Sequence, residues 1–142
     1  MAYKAFSQEW ADAYKQALNE SKVYRQAGKG WKWTVGLVVE AEPDKNVPED
    51  QGLFLDLYEG EARDVRAVTG EEARKSDFVI SAPYTQWKKV MLKELDPIRG
   101  MLQGKLKVKG DLPTIVRYTK ASQEMAECTS RVEVEFPDEV RA

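Results

Sequence analysis

Residues 96–111 read DPIRGMLQGKLKVKGD, and the fold turns on how this stretch divides. Asp96-Pro97 opens a short apolar helix carrying Ile98, Met101 and Leu102, and Gly104 closes it. A strand follows at once: Lys105-Leu106-Lys107-Val108-Lys109 alternates without exception, which predicts one buried face and one wet face. Gly110 ends the strand, and Asp111 is placed to cap the next helix. Such a junction packs a helix pair over a sheet edge, where an apolar ligand could lie between the layers. By spacing alone it is an ordinary α+β connection.

Upstream, Tyr84, Trp87, Met91 and Leu95 recur at three- and four-residue spacing, a helix with Pro83 in its first turn. Residues 77–81 form a short strand after a polar turn over 69–76. The clearest strand is 31–41, where Trp31, Trp33, Val35, Leu37, Val39 and Ala41 occupy the odd positions. An acidic loop over 42–51 leads to a second strand, in which Leu53, Leu55 and Leu57 share one face. Glu59-Gly60 then turns into a charged edge strand over 62–68.

The chain opens on two helices. Ser7 caps the first, over 7–18, whose apolar stripe is Phe6, Trp10, Ala13, Tyr14, Ala17 and Leu18 until Asn19 and Glu20 interrupt it. Ser21 caps the second, which stops at Gly28 or Gly30. Beyond Asp111 one final helix runs to about residue 132. Its inward face, Ile115, Tyr118, Thr119, Ser122, Met125, Ala126 and Thr129, mixes apolar with small hydroxyl groups and reads as a movable lid. Residues 133–142 are polar and expected to fray. The expectation is a single domain over 1–142, with its core at about 6–132. Its class is α+β: a five-stranded, mainly antiparallel twisted sheet covered on one face by helices.

The chain has 142 residues, enough for one core, and no histidine. That absence removes the usual general base near neutral pH, the Ser–His and Cys–His nucleophile pairs, and imidazole metal sites. Net charge is −2, yet residues 83–120 hold nine Lys/Arg against three acids, a local anion-attracting surface. An overall pI of about 5.4 and the lack of a basic aromatic motif argue against nucleic acid. The single cysteine, Cys128, fits a reducing cytoplasm and, with no histidine to activate it, reads as a structural thiol. The start, MAYKAFSQEW, lacks a signal-peptide pattern, and no apolar run approaches a membrane span. Gly28-Lys29-Gly30 lacks phosphate-loop spacing.

The stretch GKLKVKGD over 104–111, led by an apolar helix, resembles the sterol carrier protein type-two domain family, with Val108 in its aliphatic slot. The strand-then-helix pieces Asp77-Phe78-Val79-Ile80 and Tyr84-Thr85-Gln86-Trp87, and the N-terminal FSQEWADAYKQALNESKVYRQAGKGWKW, are similar to the same family. The likeness runs from about Phe6 to Val132 and points to stand-alone prokaryotic members. The resemblance implies a hydrophobic tunnel between sheet and helices, and non-catalytic binding and transfer of fatty acid, fatty acyl-CoA, phospholipid or isoprenoid and sterol-like lipids. It implies no cofactor and no metal.

The apolar positions expected to line the tunnel are Trp33, Val35, Leu37, Leu55, Leu57, Trp87, Met91, Ile98, Met101, Leu102, Ile115, Tyr118 and Met125. Lys88 and Lys89 are the expected headgroup cations, meeting a carboxylate, a CoA phosphate or, transiently, an anionic membrane surface. The alternative is a small enzyme or enzyme-accessory domain acting on an apolar ligand, with Asp56 or Asp64 as a desolvated base. A third reading is an interaction domain whose interior is packed solid. Nothing in the sequence sets an oligomeric state.

Overall fold

The computed structural model describes residues 2–140, and its first helix starts where the capping serine dictates. Ser7 Oγ accepts the Trp10 amide at 3.2 Å, and α1 (Gln8–Glu20) follows. The helix continues through Asn19 and Glu20 because Asn19 is a clamp rather than a breaker. Its side chain donates to the Ala62 carbonyl at 3.0 Å and accepts the Ala62 amide at 2.8 Å. Ser21 Oγ accepts the Tyr24 amide and opens α2 (Lys22–Ala27), which ends at Gly28.

Five strands make the main sheet: β2 (Thr34–Glu40), β3 (Gln51–Tyr58), β4 (Glu61–Thr69), β5 (Phe78–Pro83) and β6 (Lys107–Lys109). Their spatial order is β4-β3-β2-β5-β6. Only the β2–β5 pair is parallel, so the sheet is mainly antiparallel, as expected. Two further short strands, β1 (Tyr3–Lys4) and β7 (Val134–Glu135), pair in parallel as a separate ribbon.

The other helices are α3 (Gly70–Ala73), α4 (Tyr84–Met91), α5 (Pro97–Leu102), α6 (Leu112–Arg117) and α7 (Thr119–Thr129). All but α3 contribute side chains to one apolar cluster with Val35, Val39, Leu53, Leu55, Leu57 and Ile80 on the sheet's inner face. The expected polar turn over 69–76 is instead the one-turn α3, capped by Thr69, packed on the outer face beside Val38 and Val79. Gly36 and Gly52 permit that approach, since β-carbons there would lie 1.9 Å and 2.4 Å from the Ala73 and Thr69 carbonyl oxygens.

Three other sequence expectations are corrected. Pro83 ends β5 rather than entering the helix, and the α4 terminus is capped from afar: Glu42 accepts the Thr85 amide at 2.6 Å and its hydroxyl at 2.9 Å. The single final helix is broken at Tyr118 into α6 and α7. The polar tail does not fray over its described part. Phe136 is buried, Asn46 donates to the Pro137 carbonyl, and Asp138 accepts hydrogen bonds from Tyr84 and Lys88. Arg141 and Ala142 of that tail lie outside the described residues.

Candidate functional site

Between the sheet's inner face and the helices lies a cavity of about 100 Å³. The alternation of β2, β3 and β5 aims Val35, Leu37, Leu57, Phe78 and Ile80 into it, and Leu106, just ahead of β6, adds to them. The three- and four-residue stripe of α4 supplies Trp87, Val90 and Met91, with Pro97 and Met101 from α5. Trp87 is held by its indole N–H, which donates to the Val38 carbonyl at 2.9 Å. The α6–α7 wall brings Ile115, Tyr118, Ala121, Ser122, Met125, Ala126 and Thr129.

Nine of the thirteen expected lining residues are therefore at the wall: Val35, Leu37, Leu57, Trp87, Met91, Met101, Ile115, Tyr118 and Met125. Four are not. Leu55 and Ile98 are buried in the surrounding core. Trp33 lies outside the wall, its ring against Trp31 and Phe78 at 5.0 and 5.8 Å. Leu102 is 64% exposed, because Ile98 and Met101 take the inner face of a helix of only six residues. The N-terminal contribution was missed as wall. Phe6, Trp10, Tyr14 and Tyr24 line the cavity with Trp31, and in sequence the four-residue spacing of Phe6, Trp10 and Tyr14 reads only as a core stripe.

Of the polar groups around the cavity, the Trp10 indole N–H is buried without a hydrogen-bond partner, and several others are engaged. Tyr14 Oη donates to the Met125 carbonyl at 2.8 Å, and burial first, then nearby Cys128, holds its pKa far above the ordinary tyrosine value. Thr129 Oγ1 donates to the Ala126 carbonyl at 2.6 Å. Behind α7, Glu124 Oε2 accepts from Ser21 Oγ at 2.5 Å and pairs with Arg131 at 3.2 Å. Burial, then the Glu124 charge, pushes the Cys128 thiol up to about 11, which keeps it protonated and unreactive near neutral pH.

No lining side chain is a carboxylate, lysine or arginine. Asp56 and Asp64 face away from the cavity, paired with Arg63 at 3.1 Å and Arg66 at 2.7 Å. The expected desolvated base is thus corrected: the alternation that turns Leu55 and Leu57 inward turns Asp56 outward. Among the described residues no cluster of three or more His, Cys, Asp or Glu could hold a metal ion, and no helix is long and apolar enough to cross a membrane.

Lys88, an expected headgroup cation, is engaged within the fold. It is 17% exposed in its side chain and is matched by Asp138 at 2.9 Å and Glu139 at 2.6 Å, over the Phe136 ring. Lys89 is exposed on the next position of α4.

The sequence profile of the SCP-2 sterol transfer family matches residues 13–122. A crystal structure of a sterol carrier protein 2 superposes with a TM-score of 0.85 at 34% identity, covering 91% of this chain and 99% of that one. A conserved hypothetical protein of Thermus thermophilus, described as possibly a sterol carrier protein, superposes with a TM-score of 0.84 at 32% identity, covering 95% and 94%. The apo sterol carrier protein 2 of Yarrowia lipolytica shares the fold at 18% identity, with a TM-score of 0.54 over 83% of this chain and 87% of that one. No curated protein matches the chain. With the profile spanning most of its length and the sheet, helices and cavity in place, the chain belongs to the SCP-2 sterol transfer family.

Proposed function

We propose that this protein is a non-catalytic carrier that takes up the apolar chain of a lipid between its sheet and its helices and transfers it within the cytoplasm. The observation that carries this reading is the composition of the wall, wholly uncharged and built from aliphatic, thioether and aromatic groups with two small hydroxyl residues, Ser122 and Thr129. Such a wall recognises hydrocarbon and offers no carboxylate, lysine or histidine for acid–base chemistry. Fatty acid, fatty acyl-CoA, phospholipid and isoprenoid or sterol-like lipids all present that hydrocarbon.

The magnitudes suit a carrier. Burying about sixteen methylenes gains on the order of 10 kcal/mol gross. Ordering the lipid and the protein lowers the net to roughly micromolar affinity, tight enough to hold and loose enough to release. The cavity, about 100 Å³, is smaller than the roughly 300–1,000 Å³ of ordinary ligand pockets, so a wall must yield on loading. The α6–α7 wall is the one that yields, opening as a lid about the break at Tyr118.

Native mass spectrometry of the purified protein tests the proposal, with displacement of a fluorescent fatty acid as the second readout. The expected result is co-purifying lipid, and saturable uptake abolished by Ala126→Phe, which fills the cavity without disturbing secondary structure. A ligand-free protein that takes up no fatty acid would sink the carrier reading.

A further inference from the structure

Three tryptophans stand in the wall of the cavity, Trp10, Trp31 and Trp87, and each carries one indole N–H into a buried position. The backbone satisfies two of them. Trp31 donates to the Trp33 carbonyl at 2.9 Å, and Trp87 donates to the Val38 carbonyl at 2.9 Å. Trp10 is the exception: among the described residues its Nε1 is buried and has no acceptor. Hydroxyls of the same wall follow the rule that Trp10 breaks, since Tyr14 and Thr129 donate to the Met125 and Ala126 carbonyls. Two other buried side-chain atoms lack partners, Ser76 Oγ and Gln86 Oε1, but neither residue lines the cavity.

The Trp10 indole is also fixed in place. It is 2% exposed, stacks on Tyr14 with ring centroids 5.0 Å apart, and meets Phe6 edge-on at 5.5 Å. Its helix, α1, is the one clasped to β4 through Gln8 and Asn19. A donor on that rigid side keeps its position while the α6–α7 wall moves. Buried without an acceptor, it has given up its bond to water and received none in return. An acceptor that enters with the ligand restores the bond, so the contact adds affinity without adding charge.

We infer that Trp10 Nε1 is a polar contact for the ligand, and that the favoured ligand carries an uncharged oxygen within its apolar chain. This rests on the carrier reading and narrows it to a class of lipid. A ketone, an ester carbonyl or a hydroxyl oxygen accepts one N–H and brings no charge inside. A carboxylate is refused at this point, because no lysine or arginine lines the wall to balance it. A plain hydrocarbon chain suits the wall but leaves the donor bare.

Displacement of a fluorescent fatty acid tests the inference, with palmitic acid and a series of oxo- and hydroxypalmitic acids whose oxygen moves along the chain. The acid group is common to all of them and cancels in the comparison. In the wild type, oxygen at one region of the chain is expected to tighten binding about tenfold over palmitic acid, and elsewhere to weaken it. The ketone and alcohol arms separate the two kinds of oxygen. Trp10→Phe removes the donor and keeps a ring, and it is expected to erase the preference whatever its absolute affinity. The wild-type Trp10 indole proton, followed by NMR, should move downfield with the favoured acid and stay in place with palmitic acid. A preference that survives Trp10→Phe, or an indole proton indifferent to the oxygen, overturns the inference and leaves the carrier standing. Should Trp10→Phe fail to fold, the indole proton decides alone. Wild-type protein that takes up none of these acids removes the carrier and this contact with it.

Discussion

The two ends of the helical layer are held by different physics. The N-terminal pair, α1 and α2, is stapled: both helices start on a serine cap, and Gln8 and Asn19 clasp the backbone of β4 at Ala67 and Ala62. Trp10, Ala11, Tyr14, Ala17 and Leu18 go fully under. The C-terminal pair, α6 and α7, lacks side-chain caps on its backbone amides and breaks at Tyr118. Its inner face is Ser122, Met125, Ala126 and Thr129 where α1 has Trp10 and Leu18. Both halves reach the cavity, but the first also commits Ala11 and Leu18 wholly to packing, whereas the second turns Ala121, Ser122, Met125, Ala126 and Thr129 toward the cavity. A carrier needs that asymmetry, because a wall that must yield cannot also be the keystone.

Truncation on each side gives the widest separation. Leu18→Ala removes a fully buried side chain from the stapled half and is expected to cost about 3 kcal/mol in urea denaturation. Met125→Ala, at the cavity wall, is expected to cost about 1 kcal/mol, since its neighbours on one side are already void. Equal costs would erase the distinction and return the molecule to a uniformly packed domain.

Of the ties that hold the loose half, Glu124 is the nearly buried charged one, and the next test is aimed at it. Glu124 ties α7 to the α1–α2 junction through Ser21 and holds Arg131. Glu124→Ala is expected to cost about 2 kcal/mol, as bonds to a charged acceptor are lost from a nearly buried site. Amide hydrogen exchange should rise along α7 while β2 and β3 stay protected, and α6 should exchange fastest of the helices even in the wild type. Protection of α6 equal to that of the central strands would remove the lid.

The stapled half was legible from sequence because its signals are local. Ser7, Ser21 and Asp96 announce helices whose first amides they go on to bond, and Trp10, Tyr14 and Leu18 keep a helical period. Leu53, Leu55 and Leu57 likewise fixed the inner face of their strand by alternation alone. What was missed is tertiary. Glu42 caps α4 from forty-three residues away, and no window around Pro83 carries that information. Leu102 follows the helical spacing yet points to water, because six residues cannot bury so wide a stripe. Gly36 and Gly52 did carry a signal, two glycines on the outward positions of strands, and that signal was for the close approach of α3.

The C-terminal strap extends the comparison to a third kind of hold, one made of charge, and its effect is the smallest. Asp138 accepts from Tyr84 at 2.5 Å and pairs with Lys88 at 2.9 Å, clamping the tail onto α4, whose inner face carries Trp87 and Met91. Burial raises the Asp138 pKa, but the hydrogen bonds from Tyr84 and Lys88 and the Lys88 charge outweigh it and leave it below the ordinary aspartate value. A carboxyl depressed by folding contributes stability above its unfolded pKa, about 3.9, and that contribution is lost as pH falls through the folded value. Lys88 runs the other way: burial lowers its pKa, Glu139 and Asp138 more than restore it, and its contribution is lost only in strong alkali. The strap should therefore hold from neutral to mildly acidic pH and open below about pH 4, ahead of the α1–α2 half. NMR amide signals of residues 134–139, followed on acidification, read this directly, and Asp138→Asn should loosen them already at neutral pH. Tail signals that broaden only together with those of α1 would make the strap part of the stapled core rather than a separate latch.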